Sequence, residues 1–191
     1  MAGKMYIYDA MTEEDRDQAR ARVRQNPNMT VLGVTSKQHW IAEMDRLVAE
    51  RPIFDRVLVQ THGAPGKLSI GSGSIYDTTL RDDFAGRRYH TLFPTYTRFY
   101  YDGCNVAEGS MGTDFLDMTA TIFLKTGGGE VFGWENYGYA MPWWLPFLGG
   151  HTIHNLDGNL KKFFYRAGPV KYTPPREPYQ KPERMERGFK I

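Results

Sequence analysis

The sequence predicts an α/β fold, a three-layer α/β/α sandwich with a mostly parallel central sheet. Three observations carry that expectation. Short β-branched or aromatic runs alternate with helix-forming runs from the amino terminus onward, the order that gives parallel strands with helices on the sheet faces. One such helix has a clear apolar stripe, Trp40, Ile41, Met44, Leu47 and Val48, at i, i+1, i+4, i+7 and i+8. With 191 residues, 41% of them hydrophobic, the chain is long enough for one substantial core and too short to suggest two.

Taken in order, "MYIYDA" (Met5 to Ala10) reads as a first strand. Thr12 is placed to cap a helix over "EEDRDQARARVRQ", whose few apolar residues suggest a surface position. "MTVLGVTS" (Met29 to Ser36) is the second strand, and Ser36 caps the amphipathic helix. Pro52 ends that helix before a third strand, "IFDRVLVQ". "GKLSIGSGSIYD" reads as a small hairpin and "TTLRDDFAGRRYHTLF" as a helix. "TRFYYDGC" supplies a strand, and Met111, Phe115, Met118 and Ile122 recur at helical spacing. "TGGG" ends this helix and "EVFGWENYGYAM" begins a further strand. Residues 1–170 form the domain, and 171–191 read as a proline-rich charged tail without apolar periodicity.

The net charge of +2 is spread along the chain, so no electrostatic footprint for nucleic acid appears and none is expected as a partner. A single cysteine excludes an internal disulfide and makes a reducing cytoplasm the default compartment. The beginning turns acidic before any apolar run long enough for a signal peptide. The most lipophilic stretch, "AMPWWLPFLGG" (Ala140 to Gly150), is far short of the roughly 20 residues of a membrane span. It reads as a packed aromatic loop or, at 140–150, a surface for docking a partner or a membrane interface, with the tail as the other docking candidate. No calcium-binding acidic cluster of clear spacing is present, and hydrolysis by a thiol and a histidine calls for neither a metal nor an organic cofactor.

The chemistry gathers at two strand ends, "VLVQTHGAPG" (Val57 to Gly66) and "RFYYDGCNVAEG" (Arg98 to Gly109). In an open parallel sheet, loops converge over a crevice at the carboxyl edge, and His62 and Cys104 both fall there if their strands are neighbours. A histidine that accepts the thiol proton turns a weak nucleophile into a strong one. Gly63 and Gly103 let backbone approach a substrate carbonyl, where amides supply an oxyanion hole worth about 3 kcal/mol per donor. A lone cysteine, by contrast, is usually a small buried hydrophobe. Trp134, Tyr137 and Tyr139 are candidates to line a cleft or simply to fill core, and Asp102 is either a loop acceptor or part of a pocket. Pairing Cys104 with His151 or His154 is a second arrangement, although it places the cysteine after a strand rather than at a helix start. His39 and His90 read as surface or packing residues.

An apolar strand ending in His-Gly followed by a strand ending in Gly-Cys resembles the caspase-like cysteine peptidases: caspases, metacaspases, clostripain, gingipains and bacterial caspase-like domains. "THGAPGKLSIG" and "YYDGCNVAEGSMGTDFL" are most similar to the bacterial members. The resemblance covers about Met5 to Met141 and implies a caspase-like fold and a protein or peptide substrate. It makes His62 the general base or ion-pair partner, Cys104 the nucleophile, and the amides of Gly63 and Cys104 the oxyanion donors. Asp102, two residues before the cysteine, matches an acid that in metacaspases holds a basic side chain, which implies cleavage after Arg or Lys. No Gln-Ala-Cys stretch is present, and an inactive binding or regulatory module is the alternative.

Overall fold

The computed structural model describes residues 2–140, 152–154 and 160–166. β1 (Gly3–Asp9), α1 (Glu13–Gln25), β2 (Thr30–Val34), α2 (Lys37–Glu50) and β3 (Phe54–Gln60) follow the expected alternation. Three short strands come next, β4 (His62–Ala64), β5 (Lys67–Ile70) and β6 (Gly73–Tyr76), and then α3 (Asp77–Thr79). β7 (Thr97–Tyr101), α4 (Gly109–Phe123) and β8 (Gly129–Trp134) complete the central pattern. β9 (Gly138–Ala140), β10 (Thr152–His154) and β11 (Leu160–Tyr165) follow.

The main sheet has six strands in the order β11-β8-β7-β3-β1-β2. Five run parallel, and β11 closes one edge antiparallel to β8. β9 pairs with β10, and β4, β5 and β6 form a small antiparallel sheet of their own.

Alternation along β1 explains how the layers form. Met5 and Ile7 face a large core with Trp40, Met44 and Leu47 of α2 and Phe115, Leu116 and Phe123 of α4. Tyr6, between them, faces the opposite way and packs with Leu58 and with Ala19 of α1. Helices therefore cover both faces of a mostly parallel sheet. The larger core is rich in rings: Phe123 stacks on Phe99 with centroids 5.2 Å apart and meets Phe84, Tyr89 and Phe93. The two caps form as expected. The Thr12 hydroxyl accepts the Asp15 N–H at 3.0 Å, and the Ser36 hydroxyl accepts the His39 N–H at 3.1 Å. α2 ends on Arg51 at φ 60°, and Pro52 prevents a further turn.

Four expectations are corrected. α1 does not simply lie on the surface: it buries Asp15, Gln18, Ala19, Ala21 and Arg22, so its inward face is polar and small rather than apolar. The helix expected over "TTLRDDFAGRRYHTLF" breaks into α3, a π turn at Leu80–Phe84 and a 3-10 turn at Tyr89–Leu92. The breaks let Leu80, Phe84, Tyr89, Leu92 and Phe93 all reach the core, which their spacing forbids on one straight helix. The strand expected to begin in "EVFGWENYGYAM" forms as β8, but it stops at Trp134, and the rest of the stretch pairs as β9 in a separate ladder. β11 was not expected, because "LKKFFY" mixes lysine and aromatic residues on both of its faces; the lysines suit an edge strand.

Candidate active site

β3 and β7 are adjacent and parallel, with Val57 opposite Phe99 and Val59 opposite Tyr101. The segments that leave their carboxyl ends are therefore neighbours. The Asp102 N–H donates to Val59 O at 2.8 Å and carries the pairing one residue further. Beyond it the two backbones touch. A methyl group built on Gly63 would lie 2.6 Å from Cys104 O and 3.2 Å from the Gly103 carbonyl carbon, and would also strike Val106. One built on Gly103 would lie 3.0 Å from Thr61 O and 3.4 Å from the Gly63 Cα. A side chain at Gly63 would overlap backbone and one at Gly103 would be crowded, so the glycines flanking His62 and Cys104 serve close approach rather than a turn.

His62 begins β4 and is exposed, whereas Cys104 is partly buried in the turn after β7. β4 is held by its pairing with β5 and by the Thr61 hydroxyl, which donates to Ser69 O. The turn carrying Cys104 is held from three sides. The Gly66 N–H donates to Val106 O at 3.1 Å, the Asn105 N–H to Asn136 O at 3.0 Å and the Ala107 N–H to Trp134 O at 3.0 Å. Lys161 of β11 donates to Ala107 O at 2.7 Å and Gly109 O at 3.0 Å, and pairs with Glu135 at 2.8 Å. Asn105 adopts φ 54°, the left-handed conformation that asparagine tolerates, to turn the chain directly after the cysteine.

Asp15 of α1 was not singled out by sequence, although the spacing of Thr12 and Asp15 is that of a reciprocal cap. The Thr12 hydroxyl donates to Asp15 Oδ2 at 2.6 Å. Burial raises the Asp15 carboxyl above the usual carboxylate range; the hydrogen bond from Thr12, and then the charge of His62, pull it back down. Asp15 is thus an acidic group whose electrostatic surroundings include His62.

Asp102 faces α1, where Arg22 Nη2 lies 3.4 Å from Asp102 Oδ2. Trp134 is half-buried at the end of β8, with its carbonyl tied to the cysteine turn, and Tyr137 is exposed. Residues 141–150, His151 and the tail 171–191 lie outside the described residues, and of Tyr139 and His154 only the strand positions in β9 and β10 are described. Among the described residues, no group of three or more His, Cys, Asp or Glu side chains is placed to hold a metal ion. No described helix is long and apolar enough to cross a membrane.

Residues 11–126 match DUF4347, a domain of unknown function, over more than half of the chain. The chain belongs to the DUF4347 family. The part that matches the DUF4347 domain runs from the residue before Thr12 to just past α4, and so holds Arg22, His62, Gly63, Asp102 and Cys104. Trp134 and Tyr137 fall outside it. No curated protein and no solved structure matches this DUF4347 chain.

Proposed function

We propose that this DUF4347 domain is a caspase-like cysteine endopeptidase that uses His62 and Cys104. The observation that carries the reading is the backbone contact of Gly63 with Gly103 and Cys104, which brings the His-Gly and Gly-Cys segments together at one edge of the sheet. In the proposed reaction His62 takes the thiol proton and the Cys104 sulfur attacks the scissile carbonyl carbon. The amides of Gly63 and Cys104 receive the negative charge that forms on the carbonyl oxygen. Collapse of the tetrahedral adduct breaks the C–N bond, and the amine departs with the proton held by His62. Water, losing a proton to His62, then cleaves the thioester to release the acid and restore the thiol. Trp134, the last residue of β8, whose carbonyl ties down the turn that holds Cys104, and the exposed Tyr137 just beyond it would supply a wall of the peptide cleft. Cleavage after Arg or Lys would require the Asp102 carboxylate to be available to substrate.

The test is digestion of a mixed-sequence peptide library, with the new termini read by mass spectrometry. The reading expects cleavage by the wild-type protein and none by Cys104→Ala purified in the same way. Equal digestion by both, or none by either, sinks it.

A further inference from the structure

The structure points to Arg22 as the residue that sets specificity. We propose that its guanidinium occupies Asp102 from within the fold, so that the site favours an uncharged residue over Arg or Lys before the scissile bond. This rests on the peptidase reading for the word substrate, and on geometry alone for the state of Asp102.

Arg22 lies in the last turn of α1 and is 2% exposed. Its side chain passes over the Tyr6 ring, with the guanidinium carbon 5.5 Å from the centroid, and reaches Asp102, which lies 80 residues further along the chain. Both ends of this contact are fixed. Tyr6 is buried within β1 and donates its hydroxyl proton to Gln60 Oε1 at 2.9 Å, while Asp102 is pinned by its own N–H to β3. The Asp102 side chain is 12% exposed and that of Arg22 is 3% exposed, so the pair has little water to share its charge with.

The Asp102 carboxylate already faces a buried cation. A substrate arginine or lysine arriving at Asp102 would put two positive charges on one acid in a poorly solvated place, where like-charge repulsion is strong. An uncharged side chain meets no such repulsion. Stability alone gives little reason for the arrangement, because a buried ion pair is often matched or bettered by apolar residues of the same volume. Among the described residues Arg22 Nε also has no acceptor, a cost that a purely structural pair would be expected to shed.

Two measurements on the full chain test this. In the peptide library, wild-type protein is expected to cleave after methionine or glutamine at least about tenfold more efficiently than after arginine or lysine. Arg22→Gln is expected to reverse that order, and Arg22→Gln with Asp102→Asn to abolish the reversal. The second measurement needs no catalysis: titration with benzamidine, an amidinium probe, followed by calorimetry. Wild-type protein is expected to give no binding heat, Arg22→Gln to bind, and the double variant not to bind. If no peptide is cleaved but the benzamidine pattern holds, the peptidase reading fails and the occupied state of Asp102 stands. Wild-type preference for arginine or lysine, or benzamidine binding to wild type that is lost in Asp102→Asn, overturns the proposal. These wild-type results decide it even if Arg22→Gln does not fold.

Discussion

His62→Ala is expected to lower peptide hydrolysis by about a thousandfold while leaving the thermal unfolding midpoint unchanged. The size follows from the proposed role: a positioned acid-base group contributes about a hundredfold to ten-thousandfold, and in the proposed reaction the same group both activates the thiol and protonates the leaving amine. The unchanged midpoint follows from position. His62 is exposed at the start of β4, so truncating it empties no core. Steady-state rates on one good library substrate, with circular dichroism melts of both proteins, check the two halves together. A drop in rate accompanied by an equal loss of folded protein would assign His62 to the fold instead.

Gly63→Ala is expected to damage fold and site at once. The added methyl would sit 2.6 Å from Cys104 O and collide with Val106, and backbone on that side cannot yield as a flexible side-chain tip can. Overpacking of this kind costs about 1–3 kcal/mol, and relief requires the β4 and Cys104 segments to move apart. Gly86 is the control, because a methyl group there meets nothing within 4 Å. Urea denaturation should therefore show a lower midpoint for Gly63→Ala and almost none of that loss for Gly86→Ala. Activity per folded molecule should fall only in the first. A neutral Gly63→Ala would mean that the two strand ends are not held in contact in solution.

The parts of this fold legible in the sequence are those where burial is apolar and local. Trp40, Met44 and Leu47 announce α2 because the stripe that packs is the stripe that is hydrophobic. The adjacency of β3 and β7 was also readable, since both are apolar strands separated by a small antiparallel sheet and irregular turns that can cross over one face. α1 hid its inward face because that face is Asp15, Gln18 and Arg22, residue types whose default is solvent. β11 was hidden because lysines interrupt its alternation on both faces. The contact between Arg22 and Asp102 leaves no local mark at all: it joins a helix to a strand end across the sheet, and only the tertiary structure brings it about. For the same reason the acid two residues before the cysteine reads in sequence as a loop acceptor or part of a pocket, whereas in the fold it faces Arg22.

The central claim, that His62 activates Cys104, is tested most directly by the rate at which iodoacetamide alkylates Cys104 near neutral pH. Cys104 is the only cysteine, so intact mass reports it without ambiguity. The account predicts that folded wild-type protein is alkylated at least about tenfold faster than His62→Ala and faster than the same chain unfolded in urea, because only thiolate reacts. Sluggish alkylation that is the same with and without His62 would contradict it.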